Sequence, residues 1–442
     1  MAGTTISIRA ADGGQFSGYL STPPSGTGPG LVLIQEIYGV NDQIRAMADL
    51  FAEEGYVVLA PDLFWRLLPG IELGYDPDSR ARALAYYQRF DVEQGVRDIA
   101  AAQAALKLRP ECTGKVGALG FCLGGRLAFL AAARLHLDVA VSFYGGGIDK
   151  HLGEAATIPC PMVLHFGGKD DYTPPPTIDQ IRAAFADRPE VSIHVYPEAG
   201  HAFYIPGRPS YHKPSALLAH SPTIAVLRRT LGPHYDLAAL WDKHCEYEFI
   251  VRDVDKTMQT MVAEPYVNHV PTMTGGVGYE ELHRFYEHHF ISRLPKDTKI
   301  VSLSRTIGAD RLVEELLLCF THDIQIDFLL PGIKPTRKYV EIPTVAVVRF
   351  RGDKLYNEHI YWDQAAALVQ IGLLKAKKLP VAGIDTGKKL LDESLPSNTL
   401  MKRWKKSDPK REKNGAKEKT KPETKKRKAA SKGKKAKPPK RA

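Results

Sequence analysis

The chain places a cysteine among glycines, at the point where a strand pattern gives way to a helix pattern. Residues 117–134 read GALGFCLGGRLAFLAAAR, with Cys122 between Gly120 and Gly124. The order G-x-C-x-G-G is the thiol form of a nucleophile elbow, a sharp turn whose close neighbours must lack side chains. The positive end of the following helix would favour a thiolate, and the amide of Leu123 would face a developing oxyanion. The alternative is a small buried cysteine on a glycine-rich turn.

Two further polar residues follow later strand patterns. The stretch HFGGKDDYTPP places Asp170 just after a Gly-Gly pair, and YPEAGHAFY places His201 after the next strand. The order nucleophile, acid, histidine is that of α/β-hydrolases, and strand ends are where open α/β sheets bind ligands. Taken singly, Asp170 could cap a turn and His201 could lie in a surface loop. Together with Cys122 they predict a nucleophile, a base and an orienting acid, with Asp171 as the competing acid.

The elements that would position these residues alternate between strand and helix patterns over residues 1–234. Six apolar runs predict strands buried on both faces, and the long helical pattern among them extends from Ser79 to Leu108. An edge hairpin is predicted to turn at Asp12-Gly13-Gly14. The pattern predicts an α/β domain with a mostly parallel sheet.

A second domain is predicted over residues 235–385, where the residue composition and the order of helix and strand patterns change. Aromatic-rich and His-rich helical stretches come first, and strand patterns follow, including a hairpin around Arg351-Gly352-Asp353. Helices followed by an antiparallel sheet indicate a smaller α+β domain. Residues 386–442 are rich in Lys and poor in apolar residues, which predicts a disordered tail.

Charge and composition restrict the classes of function. The net charge of +10 is misleading, because residues 401–442 hold 20 Lys/Arg against 4 Asp/Glu and leave a net charge of −6 on the rest. No apolar run is long enough to cross a bilayer and no signal peptide is apparent, so we expect a cytoplasmic protein, or a nuclear one in a eukaryote. The five cysteines form no C-x-x-C pair, so neither disulfides nor a zinc site are expected. We predict no metal and no cofactor.

Residues 1 to about 232 resemble the dienelactone hydrolase (carboxymethylenebutenolidase) family. The resemblance rests on the stretches LVLIQEIYG, VVLAPDLF, RFDVEQGVRDI, KVGALGFCLGG, HFGGKDDYTPP and EAGHAFY. It implies an α/β-hydrolase fold, with Cys122 as the nucleophile, Asp170 as the acid and His201 as the base. It also implies that Glu36 meets the resting cysteine and takes part in its activation, and that the amide of Ile37 is a second oxyanion donor. The alternative for Glu36 is a solvated acid at a strand end.

The substrate-binding residues match the family less well. Its typical member holds a substrate carboxylate with two arginines and a tyrosine, and Arg80 matches the first arginine. Leu84 stands at the tyrosine position and Ile205 at the second arginine, for which Arg208 or Arg82 might substitute. The other residues that we expect to contact substrate are Tyr38 and Phe203. An ester or lactone is therefore the predicted substrate, with its exact identity open.

The second domain resembles SnoaL-like polyketide cyclases, which are small cone-shaped α+β barrels with a pocket. The resemblance rests on the stretches EPYVNHVPTMTGG and EHIYWDQA. Four polar residues within apolar runs predict either an acid/base pocket or, as we favour, satisfied core groups and a dimer face: Asn268, His269, His359 and Asp363. Three histidines on one helix are expected at the surface rather than on a metal: His283, His288 and His289.

Two functions compete at this point. The first is a cysteine hydrolase that cleaves an ester or lactone through a Cys-His-Asp triad and a thioester acyl-enzyme. The second is a nucleic-acid-associated binding protein on an inactive hydrolase scaffold, because the basic tail would bind nucleic acid weakly and without sequence preference. The predicted partners are a small-molecule substrate, nucleic acid bound by the tail, a second copy of the chain through the second domain, and no membrane.

Overall fold

A computed structural model describes residues 3–404 and residue 407, and they fall into two compact units. The first unit extends to Gln364 and contains two sheets; the second begins at Ala365. No helix within the described residues is long and apolar enough to cross a membrane. The two tracts that the sequence assigns to separate domains, 1–234 and 235–385, each contribute one sheet, and the domain boundaries themselves stay a prediction.

The first sheet carries the candidate nucleophile. Its eight strands are Thr4–Arg9 (β1), Gln15–Ser21 (β2), Gly28–Ile34 (β3), Val57–Pro61 (β4), Cys112–Phe121 (β5), Ala140–Phe143 (β6), Met162–Gly167 (β7) and Val191–Tyr196 (β8). They lie in the order β1-β2-β4-β3-β5-β6-β7-β8. Strands β3 to β8 all run parallel. The edge hairpin β1–β2 pairs with this parallel set antiparallel, through β2 and β4. The predicted α/β fold with a mostly parallel sheet is confirmed.

Helices cover both faces of this sheet. They are Asp42–Glu53 (α1), Pro77–Arg89 (α2), Val92–Lys107 (α3), Leu123–Arg134 (α4), Pro175–Ala184 (α5) and Lys213–Leu231 (α6), with a 3-10 segment at Ile148–Thr157. Alternate residues of β3 join two different apolar clusters: Val32 belongs to one, and Leu31 and Leu33 to the other. This alternation is why the central strands read as continuous apolar runs.

The long helix predicted from Ser79 to Leu108 is two helices. Phe90 takes an extended conformation with ψ of 124°, which ends α2. Asp91 then caps α3 by accepting a hydrogen bond from the amide of Gln94. An aspartate is a strong N-cap residue, so this side chain starts a new helix within a continuous helical pattern.

The second sheet has six strands: Met261–His269 (β9), Thr274–Val277 (β10), Lys299–Ile307 (β11), Arg311–Thr321 (β12), Tyr339–Arg351 (β13) and Lys354–Trp362 (β14). Their order is β10-β9-β14-β13-β12-β11. The predicted hairpin around Gly352 joins β13 to β14, with Gly352 at a φ of 57°. The sheet is not wholly antiparallel and does not follow all the helices, because β9 precedes helix α9 and pairs parallel with β14.

Shorter helices accompany this sheet. They are Leu237–Cys245 (α7), Val254–Gln259 (α8) and Tyr279–Phe285 (α9), with π-helical turns at Glu246–Val251 and Tyr286–Phe290 and a 3-10 turn at Ile291–Arg293. The chain continues with Gln364–Gln370 (α10), a 3-10 turn at Ala376–Lys378 and Asp385–Leu391 (α11). Helix α11 lies where the sequence predicts that a disordered tail begins, so residues 386–391 differ from that prediction. Most of the predicted tail lies outside the described residues.

A buried charge network joins the two sheets of the first unit. Glu54, at the end of α1, is fully buried and accepts hydrogen bonds from Arg228 at 2.8 Å and from the amide of Gly352 at 3.2 Å. His220 Nε2 lies 3.3 Å from its other oxygen. Burial alone would raise the pKa of Glu54, but His220, Arg228 and the Gly352 amide outweigh burial and lower it. The hairpin of the second sheet is thereby tied to helices of the first.

Candidate active site

Cys122 sits on a strained turn between β5 and α4. Its φ of 56° and ψ of −113° lie outside the regions that most side chains adopt. A Cβ on Gly120 would lie 2.0 Å from the carbonyl oxygen of Gly124, and one on Gly124 would lie 2.3 Å from the oxygen of Ile34. Both glycines are therefore required by close backbone approach, as the elbow pattern predicts. The turn holds the thiol at the carboxyl end of the parallel sheet, where it lines a pocket.

His201 links this thiol to an acid. Its Nδ1 lies 2.8 Å from Asp170 Oδ2, and Asp170 is 3% exposed. The other carboxylate oxygen of Asp170 accepts the amide of Tyr172 at 2.9 Å, which fixes the carboxylate. Asp171 is exposed, so of the two candidate acids Asp170 is the one that contacts the histidine.

The pKa of His201 lies well above its ordinary value. Burial lowers this pKa, but the charge of Cys122 and its hydrogen bond, together with the Asp170 carboxylate, raise it by more. A raised imidazole pKa beside a thiol favours a thiolate–imidazolium pair. Cys122 and His201 line one pocket and Asp170 contacts His201, so the structure brings together the three residues predicted from the order of motifs.

The two residues predicted to supply oxyanion donors lie beside the same pocket. Ile37 and Leu123 both line the pocket around Cys122. Leu123 is the first residue of α4, and a helix leaves its first amides without intrahelical acceptors. Neither amide donates to an acceptor elsewhere in the described part of the chain. Their assignment as oxyanion donors stays a prediction.

Glu36 is buried beside Arg208 rather than solvated. The carboxylate is 1% exposed, and Arg208 Nε lies 3.6 Å from its Oε2, beyond hydrogen-bond distance. Neither carboxylate oxygen has a hydrogen-bond partner among the described residues. Burial raises the pKa of Glu36, which the positive charges of Arg208 and His201 offset only in part. The reading of Glu36 as a solvated acid is wrong.

The pocket holds about 600 Å³ and is rich in cationic side chains. Arg80, Arg126, Lys150 and Arg208 line it, against two acidic residues, Glu36 and Asp149. Arg80 donates a hydrogen bond to the hydroxyl of Tyr172 at 3.2 Å. An excess of cations in a concave site attracts anionic ligands.

Some of the residues predicted to contact substrate line the pocket and one does not. Tyr38, Arg80 and Leu84 line the pocket. Phe203 does not: it is fully buried in the core, with its ring 5.0 Å from that of Tyr196, so its assignment to substrate binding is wrong. Its neighbour Ala202 has a φ of 59°, an unusual backbone conformation directly after His201. The position of Phe203 close to His201 in the sequence therefore did not predict the direction of its side chain.

One of the two arginines considered as a substitute for the missing second arginine lies at the pocket. Ile205 is a buried core residue, whereas Arg208 reaches the pocket and its guanidinium lies 4.1 Å from the ring centre of Tyr75. Of the two substitutes considered, Arg82 is exposed and does not line the pocket.

Arg126 is a pocket residue that the sequence did not single out. It is 8% exposed, its Nε has no hydrogen-bond partner among the described residues, and its guanidinium lies 5.6 Å from the ring centre of Tyr87. Its position in the first turn of α4, four residues after Cys122, was the available signal.

Comparisons with known proteins show the family to which the first half of the chain belongs. A family model described as the dienelactone hydrolase family matches residues 16–231. A carboxymethylenebutenolidase of Pseudomonas putida is 39% identical over 225 residues, which are 50% of this chain and 94% of the relative. The chain belongs to the dienelactone hydrolase family. It is accordingly a hydrolase that acts on lactones or esters.

Two further matches have the same extent. Carboxymethylenebutenolidase 1 of Cupriavidus pinatubonensis is 33% identical over 229 residues, which are 52% of this chain and 97% of the relative. The crystal structure of a putative dienelactone hydrolase from Klebsiella pneumoniae has a TM-score of 0.46 and 27% identity, and covers 52% of this chain and 100% of its own.

The polar residues predicted for a pocket in the second sheet are not brought together. Only His269 lines the cavity there, with its Nδ1 3.2 Å from the carbonyl oxygen of Thr274. Asn268 and His359 are absent from that lining, since neighbouring strand residues point to opposite faces, and Asp363 is exposed. His288 and His289 lie at the surface as expected, and His283 is half-buried.

Proposed function

We propose that this chain hydrolyses a carboxylate-bearing ester or lactone through a Cys122 thioester. The observation that carries the proposal is the 2.8 Å contact between His201 Nδ1 and Asp170 Oδ2, with His201 and Cys122 lining the same pocket. The elbow places the thiol at the mouth of a pocket large enough for a small-molecule substrate.

The first half of the reaction forms the acyl-enzyme. The Cys122 thiolate attacks the substrate carbonyl carbon, and the amides of Leu123 and Ile37 stabilise the oxyanion. The carbon–oxygen bond to the leaving group breaks, and the imidazolium of His201 gives its proton to the departing alkoxide. The product of this step is a thioester on Cys122, together with a free alcohol from an ester or with the hydroxyl or enol still attached to the acyl group from a lactone.

The second half releases the acid. Neutral His201, oriented by Asp170, takes a proton from a water molecule that attacks the thioester carbonyl. The carbon–sulfur bond breaks, the thiolate is restored, and His201 keeps the proton for the next cycle. A thiolate is a good leaving group, so the site favours activated esters and lactones over amides.

Glu36 is proposed as a positioning residue for the resting thiol. Its buried carboxyl group has no hydrogen bond and lies within the field of His201 and Arg208. A buried carboxylate without partners is costly, so the arrangement favours a change of partner or of protonation when substrate binds. Arg208 would then be released from Glu36 to a substrate carboxylate.

The cations of the pocket support an anionic substrate. Arg80, Arg126 and Arg208 approach the pocket from three different segments of the chain. Guanidinium groups bind carboxylates with two parallel hydrogen bonds, which fixes orientation as well as charge. The relatives named carboxymethylenebutenolidase agree with a lactone as the substrate class.

The decisive experiment replaces the nucleophile. We expect Cys122→Ala to lower kcat/KM for an aryl ester by at least about a thousandfold without unfolding the chain, and Cys122→Ser to retain little activity. Cys112→Ala, a cysteine outside the pocket, is the matched control and should keep wild-type activity. Iodoacetamide should label Cys122 much faster than the other four cysteines. Turnover by Cys122→Ala within tenfold of wild type would contradict the proposal.

Other proposals concern the rest of the chain. The basic tract 401–442 supports weak, nonspecific nucleic-acid binding, and would direct the protein to the nucleus in a eukaryote. The SnoaL-like relationship of the second sheet, and a dimer formed through it, remain proposals based on the sequence pattern.

A further inference from the structure

A second cavity lies in the second sheet, away from Cys122. It holds about 60 Å³ and is lined mainly by apolar and aromatic side chains. Two buried glutamates, Glu248 and Glu358, also line it, from a π-helical turn and from the central strand β14. Neither contributes to the ester hydrolysis proposed for the first sheet, and buried carboxylates need cationic or hydrogen-bonding partners.

These glutamates share one histidine. His244 Nε2 lies 3.1 Å from Glu248 Oε1 and 3.1 Å from Glu358 Oε1. All three side chains are buried, and their ligand atoms lie within 4.8 Å of one another. His244 and Glu248 are four residues apart on one helical face, and Glu358 approaches from a strand more than a hundred residues later.

Hydrogen bonds fix the orientation of the imidazole. Thr260 Oγ1 lies 2.6 Å from His244 Nδ1 and donates its own proton to the carbonyl oxygen of Thr257. The hydroxyl must therefore accept from His244, so Nδ1 carries a proton. Nε2 is then the nitrogen that faces the two carboxylates. In metal-binding histidines the ring nitrogen that does not bind the metal typically donates a hydrogen bond to an oxygen, as Nδ1 does here to Thr260.

One carboxylate oxygen is left without a hydrogen bond. A proton on Nε2 can serve a single acceptor, and the hydrogen bond formed is to Glu248 Oε1. Glu358 Oε1 has no hydrogen-bond partner among the described residues, although its residue is only 3% exposed. Within the part of the chain described, neither glutamate forms an ion pair with a lysine or arginine. A divalent metal ion bound between the three side chains would give this oxygen a partner.

We infer that His244, Glu248 and Glu358 bind a first-row divalent metal ion such as Mn²⁺, Fe²⁺ or Zn²⁺. One imidazole nitrogen and two carboxylates are a donor set that these ions accept. Three protein ligands leave coordination positions open. Because both glutamates line the cavity, those positions face it, and its volume suffices for about two water molecules. The second sheet thus carries a metal centre with room for a bound water.

The test uses the full-length protein, freed of metal by a chelator and titrated with MnCl₂. Mn²⁺ is chosen because it has little affinity for thiolates, so Cys122 does not compete. We expect one Mn²⁺ per chain by calorimetry and electron paramagnetic resonance, with pulsed spectra that show coupling to one imidazole nitrogen. Glu248→Gln and Glu358→Gln should each weaken binding at least tenfold, whereas Glu280→Gln, an exposed glutamate on α9, should not change it.

Two results would overturn the inference. One is the absence of saturable binding at millimolar Mn²⁺ or Zn²⁺. The other is stoichiometric binding that both cluster variants leave unchanged, or that lacks nitrogen coupling. If either variant fails to fold by circular dichroism, His283→Gln and His289→Gln decide, because these two histidines also lie beside carboxylates. The nitrogen coupling must survive both replacements, and its loss in either would overturn the inference.

Discussion

Adjacent glutamates at the end of helix α1 allow the contact between the two sheets to be measured. Glu54 is fully buried and bound by Arg228, His220 and the Gly352 amide, whereas Glu53 is partly exposed and pairs with Arg351 at 2.8 Å. We predict that Glu54→Gln destabilises the protein strongly and Glu53→Gln hardly at all. The two substitutions are the same chemical change, one residue apart.

The magnitude follows from burial. Removing one partner of a buried ion pair leaves the other charge uncompensated and costs about 3–5 kcal/mol, whereas an exposed pair contributes about 0–1 kcal/mol. The entropy of unfolding is about 2.1 cal/mol/K per residue. For a unit of 364 residues, Glu54→Gln should therefore lower Tm by roughly 4–7 °C. Glu53→Gln should lower it by about 1 °C or less.

The effect of Glu54 should also depend on pH. Its pKa is lowered in the folded protein, so its contribution to stability is present above the ordinary glutamate pKa. That contribution is lost as pH falls below about 4.5 and through the lowered value. Calorimetric scans of wild type and Glu54→Gln should therefore converge in acid.

A Glu54→Gln variant that melts within 1 °C of Glu53→Gln at neutral pH would refute the reasoning. It would mean that the network does not hold the two sheets together. A gap between wild type and Glu54→Gln that stays constant into acid would show instead that lost packing, and not lost charge, is the cause.

Three further outcomes are expected. Arg126→Met should raise KM for a carboxylate-bearing ester at least tenfold and leave KM for a neutral aryl ester nearly unchanged. Replacement of the exposed Arg82 by Met should alter neither KM. Equal effects of Arg126→Met on both substrates would argue against an anion contact. A fragment of residues 1–235 should melt below the full chain, because it retains Glu54 without the Gly352 amide, and equal melting would show that the second sheet adds no stability. The full chain should bind duplex DNA with an affinity that falls steeply as salt rises, and a chain ending at residue 396 should not bind it in a gel-shift assay; equal binding by both would exclude the tail as the contact.

The sequence determined the parts of this protein that depend on neighbouring residues. The elbow at Cys122 could be predicted because glycines at 120 and 124 answer a steric requirement within one turn. The mostly parallel sheet followed from continuous apolar strands, and strand ends at one edge of such a sheet explain why Asp170 and His201 lie together. The prediction of one long helix was wrong at Phe90, because the N-cap residue Asp91 starts a second helix within a continuous helical pattern.

Tertiary structure alone decided which side chains face the same space. Phe203 adjoins the triad in sequence, yet its side chain packs into the core. Arg208 was one of two candidates by sequence and Arg82 the other, and only packing brought Arg208 to the pocket. The cluster of His244, Glu248 and Glu358 joins a helix to a strand more than a hundred residues away. Local sterics can be deduced from the order of residues, but such encounters depend on how distant elements pack, which no short stretch of sequence specifies.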